Sequence, residues 1–399
     1  MPAPAPPASE DAFALSLVRD DPFFRIQRRL GLIPAGGLGI GRRLLFWSLL
    51  GWLPIALWAA VNGRALSVAV GEPLLAHFGV HVRFLIAVPL FILAEGLAHS
   101  LTTRLVPHFV RAGIVPEAEV PRLRAALTWI TGLRDSSLPW IGIFALVVSV
   151  ATFSATLQPP HEVAWATEAV ADGGAAHLGF GAGWFLLVGR PIYLTLLLSW
   201  LWRAVLLALL FRAIAGLRLA IVPTHPDGVG GLGFLERLPS AFAPVVLAIS
   251  AVAASGWAHG VVYHDVAVAS LRLQMGALVV VVLLIFLAPM LMFSGVLRAA
   301  KRQALLDYGV LVGRHGRLVH QRWIEGRTVT DDAVLSAPEL GPVADTNALY
   351  AAVSAMRTVP MGKASLAPLI LAALLPMLAV LAIQVPVKEL LRTLVTVLL

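Results

Sequence analysis

The chain has 399 residues, of which 59% are hydrophobic and only 13% charged, with a mean hydropathy of +0.85. Soluble domains run about 45–50% apolar and about 25% charged, so a soluble globular protein is excluded, and intrinsic disorder with it, because disorder needs low hydrophobicity and high charge. The lack of cysteine removes disulfide frameworks, thiolate nucleophiles, Cys-ligated zinc, iron–sulfur clusters and covalent c-type haem.

The chain opens with a Pro/Ala-rich stretch, residues 1–9, of the kind expected to be disordered. No apolar run begins before Leu44, too late for a cleavable signal core. Residues 22–34 mix Phe23, Phe24, Ile26 and Leu30 with Arg25, Arg28 and Arg29. That pattern predicts a short basic helix on the cytoplasmic face, held by apolar burial and anionic lipid.

Crossing about 30 Å of hydrocarbon takes about 20 mainly apolar residues in a helix. Seven segments qualify, at about 45–61, 83–100, 138–157, 184–210, 241–259, 273–297 and 366–385. They are continuous, without the alternation a membrane β-barrel requires. The expected fold is therefore an all-α, polytopic membrane helical bundle of about seven transmembrane helices. Four parts are expected: residues 1–44, a six-span bundle over 45–297, a loop over 298–365, and a last span with its tail over 366–399.

The arginines orient it. Arg19, Arg25, Arg28, Arg29, Arg42 and Arg43 precede the first span. The loops after spans 2, 4 and 6 carry most of the rest, the last running from Arg298 to Lys363. The opposite side has only Arg64, Arg83, Arg272, Lys388 and Arg392. The positive-inside rule then puts the N-terminus in the cytoplasm and the C-terminus outside. The net charge of +8 is thus a topology signal and not a nucleic-acid footprint. Trp47, Trp58, Trp140, Trp184 and Trp257 fall near span boundaries, where amphipathic rings anchor.

Between spans 3 and 4 the outer loop lacks Lys and Arg but carries His161, Glu162, Glu168, Asp172 and His177. Residues 161–171 are read as a short helix anchored by Trp165. The long loop is expected to continue span 6 as a helix over 298–313 and to add short helices around 317–325 and 345–357. With no GxxxxGK[ST] sequence, it is no P-loop motor. The tail from Val387 has an apolar face suited to the outer surface or to a homo-oligomer or membrane-protein partner.

Ionisable residues inside spans are costly and mark function by default. Glu95 and His99 lie one turn apart on one face of span 2. With Arg203 of span 4 they would make a proton or cation site, or a structural clamp. Arg190, before the helix-bending Pro191, would join His259 and Asp265 in a second, outer cluster. Two such clusters suit a polar path through a bundle, and equally two unrelated clamps. The loop after span 4 reads His225-Pro226-Asp227-Gly228-Val229-Gly230-Gly231-Leu232-Gly233-Phe234-Leu235. Its glycines permit positive φ, and Gly230, Gly231 and Gly233 would help shape an anion-binding nest or a tight turn. His225 and Asp227 would supply two metal ligands, too few alone. HExxH and GxSxG are both absent. No cofactor is required.

Three stretches carry a resemblance. They are His81-Val82-Arg83-Phe84-Leu85 with Val88-Pro89-Leu90 and Ala94-Glu95, the His225–Leu235 loop, and Ala344-Asp345 through Met356-Arg357-Thr358-Val359-Pro360. Together they resemble a family of bacterial multi-span inner-membrane proteins. The resemblance implies that location and brings no activity, substrate or catalytic residue. The leading expectation is a channel or transporter for an ion or small polar solute. The alternatives are a structural subunit of a membrane complex, or a membrane enzyme acting on a lipid-linked substrate.

Overall fold

The computed structural model describes residues 13–66, 72–157, 165–168, 177–329 and 341–384. Asp21 caps the first helix, α1 (Pro22–Arg29), accepting from the Phe24 N–H at 2.7 Å, and Pro22 supplies a first position that needs no donor. There follow α2 (Ile40–Val61), α3 (Phe78–Arg111), α4 (Val120–Asp135), α5 (Ser137–Leu157) and α6 (Phe180–Ala215). A 3₁₀ stretch, Gly233–Phe242, leads into α7 (Ala243–Tyr263), then α8 (Val268–Leu291), α9 (Ser294–Val319), α10 (Gly341–Ala355) and α11 (Lys363–Gln384).

Among the described residues, seven helical stretches are long and apolar enough to cross a membrane, and they coincide with the seven predicted spans. The fold is an all-α polytopic membrane bundle. Its outer surface agrees: Phe144 on α5 is 69% exposed and Leu273 on α8 83% exposed, with Leu284 and Leu375 similarly open. So extensive an apolar surface would drive aggregation in water but belongs against lipid.

Helices α3 and α6 are interrupted by π turns, at Arg83–Ala87 and Phe185–Gly189. Each ends just before a Val-Pro or Arg-Pro pair, at Pro89 and Pro191. Proline lacks an N–H and its ring crowds the carbonyl four residues back, here Leu85 and Leu187. A wider turn relieves that crowding without breaking the span. Phe84, in the first of these turns, is fully buried. A Cβ at Gly51 of α2 would come within 2.5 Å of its ring, and a Cβ at Gly189 of α6 within 2.5 Å of the ring's far end. Glycine at both positions lets three helices close on one aromatic ring, the small-residue packing expected in lipid.

Several expectations change. The N-terminal helix forms where predicted and shows Arg25, Ile26, Arg28 and Arg29 to the surface, but it is not simply laid on the leaflet. Phe13, Leu15, Leu17, Val18 and Phe24 are buried in the main core, so this segment is part of the bundle. Helix α4 was not foreseen. Its apolar face buries Leu123, Leu127 and Ile130, and it ends where Ser136 turns extended. The expected helix over 161–171 gives way at Thr167–Glu168 to a two-residue antiparallel pairing with His177–Leu178. Trp165 is fully buried against Trp58 and is no lipid anchor. His161, Glu162 and Asp172, the 1–9 stretch and the tail from Val387 lie outside the described residues. The helix expected at 317–325 is the end of α9, continued by a π turn at His320–Ile324. Lys301 of α9 caps the end of α10, donating to Ser354 O at 2.8 Å and Met356 O at 2.7 Å.

Candidate functional site

One buried site gathers side chains from four parts of the chain. Arg203 of α6 donates through Nη1 to Glu95 Oε1 of α3 at 2.8 Å and through Nη2 to Asp21 Oδ2 at 3.1 Å. Arg43, in the first turn of α2, pairs through Nη2 with Glu95 Oε2. Its Nε donates to Gln27 Oε1 at 2.7 Å, which also accepts from Trp47 Nε1 at 2.9 Å. Asp21, Gln27, Arg43, Glu95 and Arg203 are all buried. Two carboxylates face two guanidinium groups, so the charges cancel inside the bundle.

Sequence reasoning paired Glu95 with Arg203, and the structure brings them together. It leaves His99 outside, with Nδ1 at 2.8 Å from Ser16 Oγ. Asp21 and Arg43 were missed. Asp21 precedes Pro22, a helix-start signal, and Arg43 lies inside the first apolar helix. Both Glu95 oxygens are engaged by arginine, so this group acts as an electrostatic lock between the N-terminal segment, α2, α3 and α6.

A second site sits at the other end of α3. A cavity of about 240 Å³ is lined by His77, Gly79, Val80, Arg83, Phe185, Gly256 and His259. Arg83 packs over Phe185 at 5.3 Å and Tyr193 at 5.4 Å, and Arg190 lies over the same Phe185 ring at 5.9 Å. His259 was expected here and is found, but its neighbours differ from the expectation. Its Nε2 lies 3.0 Å from Glu72 Oε2, and its ring stacks on His77 at 4.9 Å. His264 Nε2 stands 3.6 Å from Glu72 Oε1. Asp265 is exposed in the turn to α8, in the left-handed region at φ 52°. Glu72 and His77 escaped notice because they lie before span 2. The available signal was that Glu72 is the only acidic residue between the first two spans.

The glycine-rich loop folds on itself. Asp227 Oδ1 accepts from the amides of Val229 at 2.8 Å and Gly231 at 3.2 Å, and Oδ2 from that of Gly233 at 2.7 Å. Gly228, Gly230 and Gly231 all take positive φ. The carboxylate of Asp227 thus fills the nest that an external anion would occupy, and His225 Nδ1 lies 3.0 Å from it. Arg357 docks on the loop, its N–H donating to Gly228 O at 2.7 Å and Nη2 to Asp227 O at 3.0 Å. The glycine-rich loop and the stretch around Arg357, 130 positions away, therefore meet in space.

Burial raises the Asp227 carboxyl, but the three amide bonds and His225 together hold it below its ordinary value. Stability from this knot is complete above about pH 4, the unfolded carboxylate value, and is lost as pH falls through the lower folded value. Amide protection at Gly231 and Gly233, corrected for intrinsic exchange, should persist at pH 5. Asp227→Asn turns an N–H toward the Gly233 donor, and should lower that protection at least tenfold, or about 1–3 kcal/mol. Equal protection in wild type and variant would mean the knot contributes nothing.

No known family model, curated protein or solved structure is measurably similar to this chain.

Proposed function

We propose that the chain is a transporter or channel of the bacterial inner membrane, with its N-terminus inside and C-terminus outside, that passes a small anionic solute. The observation that carries this reading is Arg83, a cation on the wall of a cavity within the bundle. It lies about 8 Å inside the start of α3. Such a residue is expensive in a membrane and is kept for a partner or a path.

The two ends of the bundle differ in a way that suits alternating access. One end has the cavity, the other the buried Asp21–Arg203–Glu95–Arg43 group. Glu95 lies about 18 Å further along α3 than Arg83. In this reading the outer cavity admits solute and the ionic group is the closed inner gate. Among the described residues the polar side chains of the lining are Arg83, His77 and His259, which suits the binding of an anion. A cavity of about 240 Å³ has room for a solute on the scale of chloride, phosphate or a short carboxylate.

The test is isotope flux of chloride, phosphate and acetate in proteoliposomes holding the purified chain, with H⁺, K⁺ and Na⁺ as cation controls. At least one anion should cross, and Arg83→Gln should slow it tenfold or more. Asp307→Asn, exposed on α9 and part of neither polar group, should leave the rate unchanged. Cation flux alone, or full anion flux through Arg83→Gln, would reject the reading.

A further inference from the structure

We infer that Glu72, His77 and His259 form a binding site for a divalent transition-metal ion at the edge of the outer cavity. Glu72 Oε2, His77 Nε2 and His259 Nε2 all lie within 4.8 Å of one another. Two of the three edges are 3.0 Å, from Glu72 to His259, and 3.7 Å, from Glu72 to His77. A tetrahedral zinc with bonds of about 2.0–2.1 Å sets its ligand atoms about 3.3 Å apart. The observed edges bracket that value, and the third, from His77 to His259, is no longer than 4.8 Å.

The tautomer is also set. His259 Nδ1 lies 3.0 Å from Ala76 O and donates to it. In the neutral ring this leaves the Nε2 lone pair pointing at the Glu72 carboxylate. A histidine ligand whose other nitrogen is held by a backbone carbonyl is the usual support of a metal site. His77 and His259 stack at 4.9 Å and 28° with both Nε2 atoms directed to one carboxylate oxygen. His264, 3.6 Å from Glu72 Oε1, stands where it can steady the carboxylate.

Two imidazoles and one carboxylate are a ligand set for zinc and its neighbours, not for calcium or magnesium, which prefer oxygen. Three protein ligands leave a fourth position open. Because His77 and His259 also line the cavity, the ion would stand beside the solute space. The inference does not depend on transport, since occupancy is measured without flux.

The experiment uses the purified full chain in detergent, stripped with EDTA and titrated with Zn²⁺ by calorimetry and with Co²⁺ by visible absorption. One ion per chain should bind, with the intense absorption of tetrahedral rather than octahedral cobalt. Glu72→Gln and His259→Ala should each weaken binding tenfold or more, and His264→Ala less than either. Glu72→Gln keeps the shape of the side chain, so it remains informative where His259→Ala fails to fold. A folded wild type that takes up no stoichiometric Zn²⁺ or Co²⁺ would overturn the site and leave a plain His259–Glu72 ion pair. So would unchanged affinity in Glu72→Gln. A chain that binds zinc but moves no anion keeps the site and loses the transport reading.

Discussion

Glu95→Ala is expected to destabilise the protein by about 3–5 kcal/mol, the cost of breaking a buried ion pair by removing one partner. Glu95 is fully buried and receives Arg43 on one oxygen and Arg203 on the other. Its loss leaves two guanidinium groups with only Asp21 between them, one uncompensated positive charge inside the bundle. The damage comes from that residual charge and not from lost packing alone, so a second substitution should repair much of it. In Glu95→Gln with Arg43→Gln the Arg203–Asp21 pair survives and the buried charge again sums to zero. The double variant should therefore melt well above either Glu95→Gln or Arg43→Gln in detergent. A proton-relay role predicts something different, namely a Glu95→Gln variant that is as stable as wild type but has lost pH-dependent flux. Equal melting of Glu95→Gln and wild type would reject the lock.

The spans were legible in the sequence because lipid imposes a rule on every residue of a span. A run of about 20 apolar residues cannot easily be anything else. What the sequence hid was everything set by contact between distant segments. Glu95 and Arg203 were visible as a pair because both are charges in apolar runs. Asp21 lies 182 positions from Arg203, and in sequence it looks like an ordinary helix cap. Arg43 was spent on the topology argument, since a basic residue at the inner end of a span needs no further explanation. The cavity site was half legible. His259 was visible inside a span, whereas Glu72 and His77 lay in a loop that carries no pattern. Arg190 and Asp265 were grouped with His259 on depth alone, and depth does not fix the direction in which a side chain points. The glycine loop was recognisable as unusual, but only the fold reveals that its own aspartate occupies the amides.

The second large effect is expected at Phe84. Phe84→Ala should cost about 3–5 kcal/mol, as for a fully buried aromatic truncated in a packed core. The more telling variants are at the glycines that hold the ring. A Cβ at Gly51 would meet Phe84 Cδ1 at 2.5 Å and Cε1 at 2.8 Å, and one at Gly189 would meet Cζ at 2.5 Å. The ring cannot slide away from one helix without striking the other, so Gly51→Val and Gly189→Val should each destabilise by about 1–3 kcal/mol through overpacking. Shortening the wedge should relieve the strain. Gly51→Ala with Phe84→Leu should therefore melt above Gly51→Ala alone, although Phe84→Leu by itself lowers stability. The same wedge bears on the cavity, because Phe84 and the cavity-lining Arg83 are consecutive residues of one π turn. Strain at Gly189 reaches Arg83 through its neighbour and through Phe185, which packs edge-on to Phe84 at 6.3 Å. Gly189→Ala should accordingly reduce anion flux more than its loss of stability explains. A Gly51→Val variant that melts like wild type would mean that α2 has room to withdraw, and the ring would then neither hold the three helices together nor set the position of Arg83.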